Sequence, residues 1–204
     1  MAWNRGDARH ATVSLAALDW SVNAMTEVTE RLAEHSATAG SAVVIAVSDA
    51  TWWVTLVDAT LVRYHPAGYD ATLNSLPADE REEIERTLAG LRFVRNQMGV
   101  HLDPAEFLAD LTWNPLPEPD TRDLTPRGQD WERSRYRAYQ ERLAGRPVPR
   151  AFTLSARFLR LAAARSGQGD QPDGDCAACD SAQVLSQPAP QRTGPAWPES
   201  SMSA

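Results

Sequence analysis

Apolar residues recur at steps of three and four positions over two long stretches near the start of the chain. The first runs from Thr12 to His35 and the second from residue 42 to residue 64, with Gly40 between them. The second is rich in valine and threonine, which favour strands, but its apolar positions keep the spacing of a helix face. The apolar positions are Leu15, Leu18, Val22, Met25, Val28 and Leu32, then Val43, Val47, Ala50, Val54, Val57 and Leu61. We therefore predict two long amphipathic helices.

A third helix is predicted from about Leu76 to Met98. Pro77 and the run "ADEREEIE" suit a first helical turn, because proline has no N–H to leave unpaired there and the helix dipole favours carboxylates. Gly99 suits the left-handed position that ends a helix. The preceding segments, "HPAGYD" and "LNSLP", predict a loop. The inward-facing positions of the third helix are Ile84, Leu88, Leu91, Val94 and Met98.

Shorter helices are predicted in the second half of the chain. The run "DPAE" is typical of a helix start before "FLADL", with Asp103 as N-cap, Pro104 at the first position and Glu106 in a capping box. Residues 113 to 128 hold four prolines and have no apolar period, so we predict a loop there. Helices return at residues 129 to 144 and 149 to 165. Their inward candidates are Tyr136, Tyr139, Leu143, Phe152, Leu159 and Ala163.

These elements predict an all-α fold, a bundle of about five to six helices over residues 10 to 165. We expect a flexible N-terminus over residues 1 to 9. From residue 166 to residue 204 glycine, proline, serine and glutamine dominate, which is typical of a disordered tail. A chain of 204 residues with 43% hydrophobic residues is long enough for one domain of this kind and a tail.

Two features of the chain bear on its location. The N-terminal residues are polar, with no apolar run placed as in a signal peptide. Asp49 and Asp58 interrupt the long apolar second stretch, and each carboxylate would be costly in lipid. We therefore predict that this stretch is a core helix, and we expect a cytoplasmic protein with no membrane association.

Cys176 and Cys179 are the two cysteines and form a single CxxC motif in the predicted tail. A structural zinc site needs four ligands, and neither a second CxxC nor a following histidine supplies the rest. We interpret the pair as small residues of the tail rather than as a redox or metal motif. No metal and no other cofactor are expected.

Positive charge is concentrated in one region, although the net charge of the chain is −7. Between Arg127 and Arg165 there are ten arginines against three acidic residues. Such a region can meet RNA, and the candidates for phosphate contacts are Arg135 and Arg142, seven residues apart on one helix face, with Arg146 just beyond the helix end. The alternative is a solvated basic face that balances the acidic "ADEREEIE" run.

The stretch "LRFVRNQMGVH" combines an arginine, a polar residue and a histidine near the end of the third helix. Arg95 follows the apolar face of that helix, and a guanidinium there must pair, reach water or face a cleft. His101 follows beyond the helix end, at the corner before the next predicted helix. Arg95 and His101 can therefore converge on one pocket. The alternative is a structural pairing of Arg95 with Asp49 or Asp58 of the second helix.

This stretch resembles the motif of the HEPN superfamily, whose all-helical members are often metal-independent endoribonucleases. The resemblance covers the short motif and the helical layout, and Gly99 within the spacer departs from it. It implies that RNA is cleaved by its own 2′-hydroxyl, with His101 as general base or acid, Arg95 stabilising charge on the phosphate and Asn96 orienting the site. It also implies a homodimer, and a ribonuclease of toxin or defence type with an antitoxin as a possible partner.

A second class of function stays open from the sequence. The chain can instead be a non-catalytic helical module that recruits a partner protein. The tryptophan-containing and proline-rich segment "LTWNPLPEP" is the candidate for that contact.

Overall fold

Six α-helices, a short 3-10 turn and a two-stranded hairpin form the described part of this computed structural model, which is residues 7–34, 41–98, 104–109 and 111–168. The helices are α1 (Asp7–Glu34), α2 (Ser41–Tyr64), α3 (Pro66–Asn74), α4 (Ala78–Met98), α5 (Pro126–Arg142) and α6 (Val148–Gln168). The 3-10 turn is Pro104–Phe107, and β1 (Leu108–Ala109) pairs with β2 (Thr112–Trp113) in antiparallel fashion. The all-α prediction is confirmed.

The second helix is the central helix of the fold, since α2 packs against α1, α3, α4 and α6. All six of its predicted inward positions are buried. By length and composition alone, Ala42–Tyr64 is also long and apolar enough to cross a membrane. A core helix passes the same test, and 44% of the most apolar window of α2 is buried inside the fold.

Helices α4 and α5 form the most extensive helix pair. They approach closely at Gly90, where a Cβ atom would lie 2.9 Å from Leu143 Cδ1 and 3.2 Å from the backbone of Tyr139. Aromatic rings fill the space beneath this crossing. The ring of Phe93 lies 5.5 Å from that of Tyr139, measured between centroids. The C-terminal half of α4 is therefore packed against the core, and the backbone that carries the side chains near its end is held in place.

The segment that was predicted as a loop between the second and third helices contains α3, so that prediction is wrong. Pro66 stands in the first turn of α3, where the missing N–H is not needed, and His65 is the N-cap. Tyr69 and Leu73 are buried, and the Tyr69 ring meets that of Phe158 edge-on at 5.1 Å. Burial of these two side chains stabilises a helix too short to show a clear apolar period.

The prediction of a helix at "FLADL" is wrong as well, because the described residues there form the 3-10 turn and the hairpin. Leu111 has a φ of 60°, a left-handed conformation that interrupts a right-handed helix. Phe107 and Trp113 are fully buried on the two sides of this turn. Burial of both rings outweighs the local helix-start signal. Asp103, the predicted N-cap, lies outside the described residues.

The C-terminal helices differ from prediction at their ends. Helix α5 begins earlier, at Pro126, and the Thr125 side chain caps it. Helix α6 continues to Gln168, so Ser166, where the tail was predicted to begin, is still helical and is buried. The first six residues, the chain after Gln168 and its CxxC pair lie outside the described residues, and the predictions for them stay predictions.

Candidate functional site

Arg95 lies in the last turn of α4 and stacks on a tryptophan of α2. Its guanidinium carbon is 4.6 Å from the ring centroid of Trp52, which is itself 51% exposed. Within the part of the chain that the structure describes, Arg95 forms no ion pair. A guanidinium on an aromatic face keeps its charge and its outward N–H donors available. Arg95 is therefore a half-exposed cation placed beside an exposed ring.

The alternative pairing of Arg95 with Asp49 or Asp58 is not found. Asp49 is exposed, whereas Asp58 is fully buried and pairs with Arg92, one helical turn before Arg95. The distances from Asp58 Oδ2 to Nε and Nη2 of Arg92 are 2.6 and 2.5 Å. The hydroxyl of Tyr69 donates to Asp58 Oδ1 at 3.1 Å. The buried carboxylate of α2 thus holds α3 and α4 to the central helix.

Burial raises the pKa values of both Asp58 and Tyr69. Loss of hydration raises the pKa of the Asp58 carboxyl, and the attraction of Arg92 offsets only part of that shift. Burial, and then the nearby Asp58 carboxylate, raise the pKa of the Tyr69 hydroxyl. Tyr69 therefore stays a hydrogen-bond donor at neutral pH. The sequence marked Asp58 as unusual but did not identify its partner. That partner is Arg92, which lies one turn before Arg95 on α4.

Arg135 of α5 joins Arg92 and Arg95, and we call these three residues the arginine cluster. Its guanidinium carbon lies 3.3 Å from the ring centroid of Trp131, which is 60% exposed, while Arg135 itself is buried. Burial, and then the nearby charges of Arg92 and Arg95, lower the pKa of Arg135 to about 10 against the opposing effect of nearby carboxylates. Positive charge is therefore crowded where α4 and α5 meet.

Arg142 and Arg146, the other two predicted RNA contacts, lie elsewhere. Arg142 pairs with Glu82 at 3.4 Å, near the start of α4, and Arg146 donates to the backbone oxygen of Glu141 at 3.0 Å. A helix rises about 1.5 Å per residue, so Glu82 is roughly 20 Å along α4 from Arg95. Arg142 therefore lies near the opposite end of α4 from Arg95 and outside the arginine cluster. At this end of the bundle the arginines pair with carboxylates of the "ADEREEIE" run, as the alternative to RNA contacts predicted.

Asn96 faces a different surface from Arg95. It is exposed and lines a cleft of about 630 Å³ between α4, α5 and the loop at residues 114–125, which we call the proline loop. The cleft is lined by Phe93, Asn96, Gln97, Leu116, Pro117, Glu118, Pro119, Asp120, Asp123, Leu124 and Glu132. His101 lies outside the described residues. The structure therefore describes two of the three predicted catalytic residues, and their side chains contact different surfaces.

Over residues 7–34, 41–98, 104–109 and 111–168, no group of three or more histidine, cysteine or acidic side chains is arranged to hold a metal ion. Comparison with protein-family models, with curated proteins and with solved structures gives no match.

Proposed function

We propose that this protein is a metal-independent endoribonuclease of toxin or defence type that binds single-stranded RNA at the arginine cluster. The observation that carries this proposal is Arg95, a cation on an exposed tryptophan with no carboxylate partner among the described residues. Arg92, one turn earlier on the same helix, pairs with the buried Asp58 carboxylate. Arg95 is instead free to meet a phosphate.

The electrostatics of the cluster favour an anion. The pKa of Arg135 is lowered by its burial and by the charges of Arg92 and Arg95, so the folded protein holds these cations at an energetic cost. A phosphate between the guanidinium groups would relieve that cost. The exposed rings of Trp52 and Trp131 offer surfaces on which unpaired bases can stack. Both features favour single-stranded RNA over a neutral ligand.

The HEPN resemblance supplies the proposed chemistry. His101 would take the proton of a ribose 2′-hydroxyl, whose oxygen forms a bond to the neighbouring phosphorus. The bond from phosphorus to the 5′-oxygen breaks, and that oxygen accepts a proton. The products are a 2′,3′-cyclic phosphate and a free 5′-hydroxyl. Arg95 would stabilise the charge on the phosphate and Asn96 would orient the site. A homodimer would let one subunit supply the acid and its partner the base.

The test is a cleavage assay on a labelled single-stranded RNA in the presence of a metal chelator, with the full chain. We expect cleavage to fall roughly a hundredfold or more in Arg95→Ala, which removes a charge-stabilising group. His101→Ala should lose roughly as much, since it removes the acid–base group. The matched control is Arg137→Ala, an exposed arginine of α5 outside the cluster, which should cleave as the wild type does.

A 2′-deoxy substitution at the cleaved position should abolish cleavage, because the attacking oxygen is then missing. Wild-type protein that neither binds nor cuts RNA would refute the proposal and leave the non-catalytic interaction module. Equal activity of wild type and both site variants would refute the assignment of the residues. In cells, an active enzyme should slow growth on induction, and His101→Ala should restore it.

A further inference from the structure

The cleft beside Asn96 combines an apolar floor with an acidic rim. Phe93, Leu116 and Leu124 form the floor, and Leu124 is 44% exposed there. The rim carries four carboxylates: Glu118, Asp120, Asp123 and Glu132. Exposed apolar surface inside a ready-made cavity with a polar rim is typical of a site that another molecule covers.

The wall of the cleft is held in place by hydrogen bonds and lacks backbone donors at its prolines. Proline occupies every second position of "NPLPEP" in the proline loop. Each proline restricts its own backbone and that of the residue before it, and none has an N–H to donate. The side chains of Tyr136 and Gln140 donate to the backbone oxygen of Leu116 at 3.1 and 2.7 Å and hold the loop in place. The cleft is thus preformed, and its wall lacks N–H donors at the prolines.

The chain itself neutralises only part of the charge on the rim. Asp120 is paired with Arg122 at 2.5 Å, and Glu132 accepts a hydrogen bond from the neutral Gln97 at 3.2 Å. Glu118 and Asp123 have no ion-pair partner among the described residues. A guest that fits this cleft must bring positive charge and N–H donors. RNA is negatively charged, as the rim is, and is therefore disfavoured here.

We infer that the cleft is a docking groove for a basic peptide segment of a partner protein. Arginine or lysine side chains of the segment meet Glu118 and Asp123, and one apolar side chain of the segment covers Leu124 and the floor. The backbone N–H groups of the segment donate to the carbonyl oxygens of the proline loop and to the Asn96 side-chain oxygen. This surface is separate from the Arg95–Trp52 stack, so docking does not depend on RNA cleavage.

The test is fluorescence anisotropy with the full chain and a labelled peptide of alternating arginine and leucine. A peptide with glutamate in place of arginine serves as the charge-reversed probe and should not bind. The double variant Glu118→Gln, Asp123→Asn keeps the shape of both side chains and should raise the Kd of the basic peptide roughly tenfold or more. Leu124→Ser should also raise the Kd, because the apolar contact is lost.

The matched control is the double variant Glu30→Gln, Asp70→Asn, which makes the same charge change at exposed positions of α1 and α3. It should leave the Kd unchanged, and thermal unfolding should show that all variants are folded. Equal weakening by both double variants would show nonspecific attraction and overturn the inference. Absence of binding by the wild type would also overturn it.

Two other occupants would give different results. If a second copy of the chain fills the cleft, sedimentation should show a wild-type dimer that the Glu118→Gln, Asp123→Asn variant dissociates, and the partner peptide is then refuted. If the same variant instead loses affinity for single-stranded RNA and not for the peptide, the cleft belongs to the RNA surface. A wild type and variant with the same oligomeric state and the same RNA affinity support peptide docking, together with the Kd change.

Discussion

Replacing Asp58 by alanine should lower the free energy of unfolding by about 3 kcal/mol. The change removes the acceptor of the Arg92 guanidinium and of the Tyr69 hydroxyl, both of which bind the carboxylate inside the bundle. Breaking a buried ion pair by removing one partner typically costs about 3–5 kcal/mol. Arg92 is 32% exposed, so water can recover part of the loss, and we place the effect at the low end.

The assay is urea and thermal unfolding of the full chain. It compares the wild type with Asp58→Ala, with Arg92→Ala and with the double variant that carries both changes. A loss of about 3 kcal/mol corresponds to a fall in Tm of about 6–12 °C for a chain of this size. The double variant should lose less than the sum of the single losses, because each single change strands a partner that the double change removes. Asp49→Ala is the control on the same helix, and its exposed carboxylate should not affect Tm.

Additive losses in the double variant would refute this reasoning, since they would mean that the two side chains act independently. A loss below about 1 kcal/mol in Asp58→Ala would do the same, because an unpaired buried donor costs at least that much. In either case α2 and α4 would be held together by apolar packing alone.

Three further predictions concern pH, packing and RNA. Burial raises the pKa of Asp58 above 3.8, so the folded state favours the protonated carboxyl. The stability gained from that protonation is fully present below the unfolded pKa and is lost as pH rises through the folded pKa, while the hydrogen bonds from Arg92 and Tyr69 remain at neutral pH. The gap in unfolding free energy between wild type and Asp58→Asn should therefore move against the wild type from about pH 3 to neutral, and an opposite trend would contradict the raised pKa. Gly90→Ala should cost about 1–3 kcal/mol by overpacking α4 against α5, whereas Gly167→Ala, with no atom within 4 Å of the new Cβ, should not destabilise; equal Tm values for the two would contradict the close approach. Arg95→Ala should lower the log–log salt slope of single-stranded RNA binding by about 0.7, whereas Arg142→Ala should not change it, because Arg142 pairs with the start of α4.

The long helices were predictable from sequence because each buries one face along its whole length. The apolar positions of α1, α2 and α4 repeat often enough that helical spacing outweighs the strand propensity of valine and threonine in α2. Helix α3 and the hairpin were not predictable in this way. Both depend on a few aromatic side chains that are buried by elements distant in the sequence, and that burial leaves no local period to detect.

The sequence predicted which face of α4 carries the arginines near α2, but not which arginine pairs with Asp58. The sequence offered a structural pairing of Arg95 with Asp49 or Asp58 as the alternative to a functional site. A cation on α4 does pair with Asp58, but it is Arg92. The two arginines lie on adjacent turns of one face, and only the position of α4 relative to α2 determines which one reaches the carboxylate. Arg95 therefore has no ion pair among the described residues, and this is the basis of the proposed RNA contact.

Consecutive residues at the end of α4 lie at two different surfaces, the arginine cluster and the acidic cleft. Successive side chains on a helix point about 100° apart, so Arg95 reaches Trp52 while Asn96 lines the acidic cleft. The HEPN resemblance treats these two residues as one catalytic unit, whereas Asn96 lines the cleft for which we propose peptide docking. Asn96→Ala distinguishes the two roles. If Asn96 serves docking, the variant should weaken the basic peptide and leave RNA cleavage unchanged. If Asn96 orients the catalytic site, cleavage should fall while the Kd of the peptide stays the same.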